Sequence, residues 1–151
     1  MAALMGKIRD TDRAKRVQHV FDFWTVALGL EGSWHVSYGF VDSINNHTSF
    51  AEVHQNMPYL KATIMFDRVC LDGSTEQELE AAIVHELMHI MLSPLGQLIK
   101  DEFGSGALAA DFDNALETCC DGLAEKLIYL RHGKASAYYD PQLPFNSDEK
   151  K

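Results

Sequence analysis

His85-Glu86-Leu87-Met88-His89 places two imidazoles and a carboxylate at a spacing that can do chemistry. On a helix, residues four apart lie one above the other on the same face, so His85 and His89 can turn their rings toward one cation. Glu86 then reaches a water beside that cation and can take its proton. The pattern therefore points to a metal centre that activates water, provided that a helix carries it and a further ligand completes it.

A catalytic metal commonly takes three protein ligands and keeps a fourth position for water. The best third donor is Glu117, in the segment from Asp111 to Asp121. Here Leu108, Phe112, Leu116, Cys119, Leu123, Leu127 and Leu130 recur at helical spacing as one apolar stripe, and Gly133 is a natural stop. Glu117 and Asp121 are four apart and share a face along the edge of that stripe, with Ala124 and Ile128. Carboxylates bordering a buried face call for a positive partner, which a cation and its imidazoles would supply. A solvated acidic face, continued by Asp113, is the competing reading. The rival third donors are Asp113 one turn earlier, His132 at the helix end, and Cys119 and Cys120 on the core side.

The elements that must position these groups are legible in outline. Asp72-Gly73 makes a turn, and Ser74 and Thr75 are N-cap residues with Gln77 and Glu78 three positions on, the capping-box pattern. Leu79, Ile83, Leu87 and Ile90 then form a core stripe, so a helix is expected over about 75–92, stopped or kinked by Pro94 with Ser93 extended before it. A short helix is expected from Leu95 to Phe103, and a loop at Gly104-Ser105-Gly106. Upstream, a first helix runs from about Thr11 to Leu30 with Val17, Phe21, Trp24 and Leu28 buried and its Arg and Lys residues largely on the other face. Period-two alternation follows: Trp34, Val36, Tyr38 and Phe40 in one strand, a second strand near Phe50 to Gln55, and Leu60, Ala62, Ile64 and Phe66 in a third. These strands make a small, mostly antiparallel sheet, whose edge beside the motif helix could pair with an extended peptide.

His85-Glu86-x-x-His89 followed by Glu117-x-x-x-Asp121 resembles the gluzincin clan of zinc metallopeptidases, whose third ligand is a glutamate on a second helix. The lead-in from Ala62-Thr63-Ile64-Met65-Phe66 through Ser74 to Ile83-Val84-His85 is similar to the small metallopeptidase-like domains called minigluzincins, and comparable short domains occur in phage-encoded proteins. The resemblance covers roughly residues 60–130. It implies an α+β, zincin-like fold, one Zn2+ per chain on His85, His89 and Glu117, and hydrolysis of a peptide or protein substrate. It also implies that Glu86 is the general base, returning its proton to the leaving amine, and that Asp121 accepts a hydrogen bond from the far nitrogen of His85. The metzincin pattern is not met, because Leu92 and Leu95 stand where it wants a glycine and a third histidine. Nor is the SprT-like pattern, since no histidine lies between His89 and His132. Larger gluzincins add a Tyr or His that stabilises the oxyanion; Tyr59, Tyr129, His132, Tyr138 and Tyr139 are candidates that no spacing separates. The contrasting expectation is a zinc-binding or structural protein that keeps the fold without turnover.

Length and composition fit one domain over residues 1–151, with a frayed tail from about Asp140. A hydrophobic content of 46% with 23% charged residues is globular. Cys70, Cys119 and Cys120 are too few and badly arranged for a disulfide framework, which points to reduced thiols and an intracellular, cytoplasmic setting. The apolar start at Met1–Met5 is too short for a secretory segment, and no stretch is expected to span a membrane. A formal charge of −9 disfavours nucleic acid as a partner. Glu76, Glu78, Glu80, Asp111 and Asp113 would favour cationic substrates if they rimmed the cleft.

Overall fold

The computed structural model describes residues 8–104 and 106–133. Among the described residues, four α-helices and a three-stranded mixed sheet make an α+β fold. Helix α1 spans Asp10–Ala27, strand β1 His35–Val41, β2 Ala51–Asn56 and β3 Lys61–Asp67. A short helix α2 (Arg68–Gly73) precedes the long helices α3 (Glu76–Phe103) and α4 (Ala107–His132). The expected tail from Asp140, the Met1–Met5 segment and Ser105 lie outside the described residues.

The sheet is not mostly antiparallel: β3 lies in the middle, parallel to β1 and antiparallel to β2. The cause is the order of connections. β2 and β3 form a hairpin around a 3-10 turn at Met57–Tyr59, closed by Leu60 in the left-handed region at φ 50°. That hairpin inserts β3, rather than β2, beside β1, so the segment from Asp42 to Phe50 must cross the end of β3. Asn45, Asn46 and His47 all take positive φ in this crossing, a conformation that Asn and His adopt more readily than most residues. The buried Asp67 carboxylate anchors the crossing by accepting from the Ile44 N–H at 2.8 Å and meeting His47 Nδ1 at 2.8 Å. It also caps α2, accepting from the Val69 and Cys70 N–H groups. Helix α2 itself was not foreseen, because its six residues carry no helical periodicity.

Ala62, Ile64 and Phe66 of β3 are buried on the helix-facing side of the sheet, where Val17, Phe21 and Trp24 of α1 and Leu79, Ile83, Leu87 and Ile90 of α3 join them in one core. The predicted stripe of α3 is thus the one that packs. Arg13 of α1 corrects the expectation that the basic residues face away, for it is buried, with Nε donating to Asp72 at 2.8 Å and Nη1 to Asp10 at 2.8 Å. Arg16 donates to the Leu71 and Ser74 carbonyls. Both arginines therefore tie α1 to the end of α2, where Asp72 and Gly73 are helical rather than the expected turn, and to Ser74 just before α3.

Thr75 is the N-cap of α3, and its capping box with Glu78 is formed: Glu78 N–H donates to Thr75 Oγ1 and the Thr75 N–H donates to the Glu78 carboxylate. The helix does not stop near Pro94, nor does Ser93 turn extended; α3 runs unbroken to Phe103 and absorbs the expected short helix. Proline removes one hydrogen bond to the carbonyl four residues back. Here Ser93 Oγ donates to that carbonyl, the Ile90 oxygen, at 2.8 Å. By length and composition α3 is apolar enough to cross a membrane, which departs from the expectation, although Leu79 to Ile90 supply much of the core.

Helix α4 lies along α3, joined through Gly104 at φ 67° and ended by Gly133 at φ 67°. Its inward face differs from the predicted stripe: Cys120, Ala124 and Ile128 are buried, whereas Leu108, Cys119, Leu123 and Leu130 are exposed. The registry that brings Glu117 and Asp121 toward α3 turns Leu108, Leu123 and Leu130 outward, while Phe112, Leu116 and Leu127 of the predicted stripe stay half-buried, Leu127 against the core. A clamp of polar contacts joins α3 and α4 at the other end. The buried Glu80 of α3 accepts from Trp24 Nε1 at 2.8 Å, from Arg131 and from His132 Nε2 at 2.7 Å. The Arg131 guanidinium also sits 3.7 Å over the Phe23 ring, a cation–π contact.

Candidate metal centre

Four residues apart on α3, His85 and His89 project their rings to the same side, with centroids 4.8 Å apart. Their Nε2 atoms approach to 3.0 Å. From α4, the Glu117 carboxylate reaches both: Oε2 lies 3.4 Å from His85 Nε2 and Oε1 lies 3.2 Å from His89 Nε2. One ligand atom from each of the three residues lies within 4.8 Å of the others, and this group could hold a metal ion. Asp121, one turn further along α4, puts Oδ1 2.8 Å from His85 Nδ1.

Burial grades across the centre. The histidine side chains are 19% and 14% exposed, Glu117 is 58% exposed, and Asp121 69%. The imidazoles are therefore fixed by packing, while the carboxylates close the group from the solvent side. Burial pushes the His89 pKa down, with the His85 charge acting the same way and Glu117 opposing both. Glu86 points the other way from its usual range: burial, then the Glu117 and Glu52 carboxylates, push its pKa up to about 7. A carboxyl near neutrality can both take and return a proton at physiological pH. A cation among these groups would draw it back toward the charged form.

The rival donors fall elsewhere. Asp113 is exposed and outside the three-residue group, His132 serves the Glu80 clamp, and Cys119 faces solvent. Cys120 is buried, with Sγ 3.6 Å from His89 Nδ1. That contact was missed in the sequence, although a signal existed: Cys120 is three residues past Glu117 and so shares its face. Tyr59 and Tyr129 are largely exposed, and Tyr138 and Tyr139 lie outside the described residues. Of the acidic residues expected at a rim, Glu76 pairs with Arg16, Glu78 caps α3 and Glu80 is buried. Asp113 lines the adjoining cavity.

That cavity, about 490 Å3, opens between β2, the second half of α3 and the first half of α4, with His89 and Glu117 in its wall. Spacing in the sequence could not have found it, because its walls come from three separate elements. No family model, curated protein or solved structure matches this chain.

Proposed function

We propose that the protein is a zinc-dependent peptidase of zincin-like, gluzincin type, with His85, His89 and Glu117 as ligands and Glu86 as general base. The observation that carries the reading is the donor spacing. The two Nε2 atoms lie 3.0 Å apart, the two oxygens of the Glu117 carboxylate lie 3.4 Å from one and 3.2 Å from the other, and one donor atom from each residue falls within 4.8 Å of the rest. Ligand bonds of about 2.0–2.1 Å in a tetrahedral site separate neighbouring donors by roughly 3.3 Å. Two imidazole nitrogens and one carboxylate oxygen also form a donor set that zinc accepts with a position left for water. When bound, zinc supplies a Lewis acid that polarises a carbonyl and makes water nucleophilic near neutral pH.

This chain's own residues supply the rest. Glu86 accepts a proton from the attacking water and delivers it to the departing amine, a role for which its raised pKa suits it. Asp121 accepts from His85 Nδ1–H, which fixes the ring and leaves Nε2 as the inward donor. Strand β2 forms an edge of the sheet, its outer side without a strand neighbour among the described residues. An extended peptide can add there by main-chain pairing and cross the group of ligands.

One observation favours a second reading, a metal-holding protein without turnover. Among the described residues no tyrosine, and no histidine other than His89, lines the cavity to steady an oxyanion. Metal analysis of the purified full chain, with a peptide-mixture digest read by mass spectrometry, separates the two. The peptidase reading expects one equivalent of zinc, lost in His89→Ala and Glu117→Ala, together with chelator-sensitive cleavage. Stoichiometric zinc with no cleavage of any peptide would establish the second reading instead, and a protein that retains no metal would end both.

A further inference from the structure

The cavity beside His89 and Glu117 has the volume of a ligand pocket, about 490 Å3. Its apolar wall comes from Val53, Met57, Phe112 and Leu116. Gly96 also lines it and is buried, the one such residue in α3 beyond Ile90. A Cβ built at Gly96 would stand 3.8 Å from the Phe112 ring, an ordinary contact. A larger side chain there would therefore take up cavity space without displacing backbone. Lys100, Asp113 and Glu117 are its charged lining; with Glu117 taken by the proposed metal, the opposite charges of Lys100 and Asp113 leave little net field to favour an ionic occupant.

The strand direction says which part of a peptide meets this space. β2 runs from Ala51 to Asn56, and the cavity lies at its C-terminal end, against Val53, Gln55 and Met57. A chain added antiparallel to β2, as β3 is on the other side, runs the opposite way. Ser93, one turn past His89 on α3, meets Met57 just beyond the end of β2 at 3.2 Å, so the histidines lie back toward Ala51 and the added residues over the far part of the cavity precede the bond held at the histidines and Glu117. Val53 and Gln55 stand opposite Ile64 and Ala62, whose side chains face the helices. Every second side chain of an added strand faces the same way, toward the cavity.

We infer that this cavity is a specificity pocket for one large apolar side chain on the acyl side of the scissile bond. The inference rests on the peptidase reading, because the bond is located by the proposed metal ligands.

The test uses hydroxamates, which bind zinc and place their acyl residues on the side in question. Acetohydroxamate, which has no side chain, reports the metal centre alone. Acetyl-Phe-Gly, acetyl-Gly-Phe and acetyl-Gly-Gly hydroxamates are titrated calorimetrically into the zinc-loaded full chain. One of the two phenylalanine compounds should bind at least about 10-fold tighter than the Gly-Gly compound, as expected for burying an aromatic ring. Gly96→Leu should remove that advantage while acetohydroxamate still binds. Phe112→Ala, which strips one wall instead of filling the space, should also reduce it and serves if Gly96→Leu does not fold. Equal binding of all three acyl compounds alongside normal acetohydroxamate binding would overturn the pocket and leave the peptidase reading standing. An advantage that survives both substitutions would overturn it too. Failure of acetohydroxamate to bind would instead sink the metal centre, and the pocket assignment with it.

Discussion

Sγ of Cys120 lies 3.6 Å from Nδ1 of His89, and the next residue, Asp121, puts Oδ1 2.8 Å from Nδ1 of His85. Two consecutive residues of α4 thus hold the outer nitrogens of both histidines, leaving the two Nε2 atoms facing each other and Glu117. The supports are unequal. Burial, then the Glu117 and Asp121 carboxylates, push the Cys120 thiol up to about 12, so it stays protonated and makes only a weak hydrogen bond. Asp121 offers a full carboxylate.

That inequality gives a ranking. Asp121→Asn should weaken zinc binding by about 10- to 100-fold, the usual effect of losing a ligand's outer partner. Cys120→Ala should weaken it by less than about 10-fold, because the lost partner is a thiol. Competition against a chromogenic chelator measures both. Equal losses, or no loss in Asp121→Asn, would show that these contacts do not orient the rings.

The Glu80 clamp should matter to stability rather than to metal affinity alone. Glu80→Ala leaves the Trp24 N–H and the Arg131 guanidinium without the acceptor they share. Leaving part-buried donors unsatisfied costs on the order of 2–3 kcal/mol, which a urea titration of the purified variant would read as a lowered midpoint. A midpoint unchanged from the parent would mean that Arg131 and His132 find water instead and that the registry of α4 does not depend on the clamp.

How far the sequence carries depends on where the information sits. The α3 stripe, its capping box and the shared faces of His85 with His89 and of Glu117 with Asp121 are local patterns, and local patterns were legible. Strand order was not, because period two shows which face is buried and nothing about which neighbour pairs. The rotation of α4 departs from the sequence reading in part for a related reason: Leu108, Leu123 and Leu130 extend the apolar row, yet the fully buried face is Cys120, Ala124 and Ile128, with Leu127 beside it. Pro94 does not end α3, because the Ser93 hydroxyl donates to the carbonyl that proline's missing N–H would leave unpaired.

Acid stability should depend on Asp67. Burial pushes its carboxyl up, but the Cys70 and Ile44 N–H groups and the His47 side chain together outweigh it and hold the pKa at about 2, below its ordinary 3.8. A depressed folded value favours the ionised form, so the stabilisation is complete above the unfolded pKa and disappears as pH falls through the folded one. On the order of 2 kcal/mol should therefore be lost between about pH 5 and pH 2. Asp67→Asn should be less stable near neutrality and show a flatter acid limb in urea midpoints taken across that window. Parallel limbs for parent and variant would refute the assignment.

The sharpest division between an enzyme and a metal-holding scaffold falls on Glu86, which is buried beside the proposed ligands but is not one of them. Glu86→Gln keeps the side chain's shape and removes the group that takes the proton. Fold and zinc content should survive, since neither His85, His89 nor Glu117 has changed. Hydrolysis should fall by at least about 100-fold, the lower end of what general acid–base catalysis contributes. The substitution also removes a carboxyl that burial already disfavours in its charged form, so thermal stability should hold or rise slightly. Peptide cleavage rates and metal content measured on the same preparations decide the matter. Equal cleavage by parent and variant would rule out Glu86 as the base, and loss of zinc in the variant would make it a ligand instead.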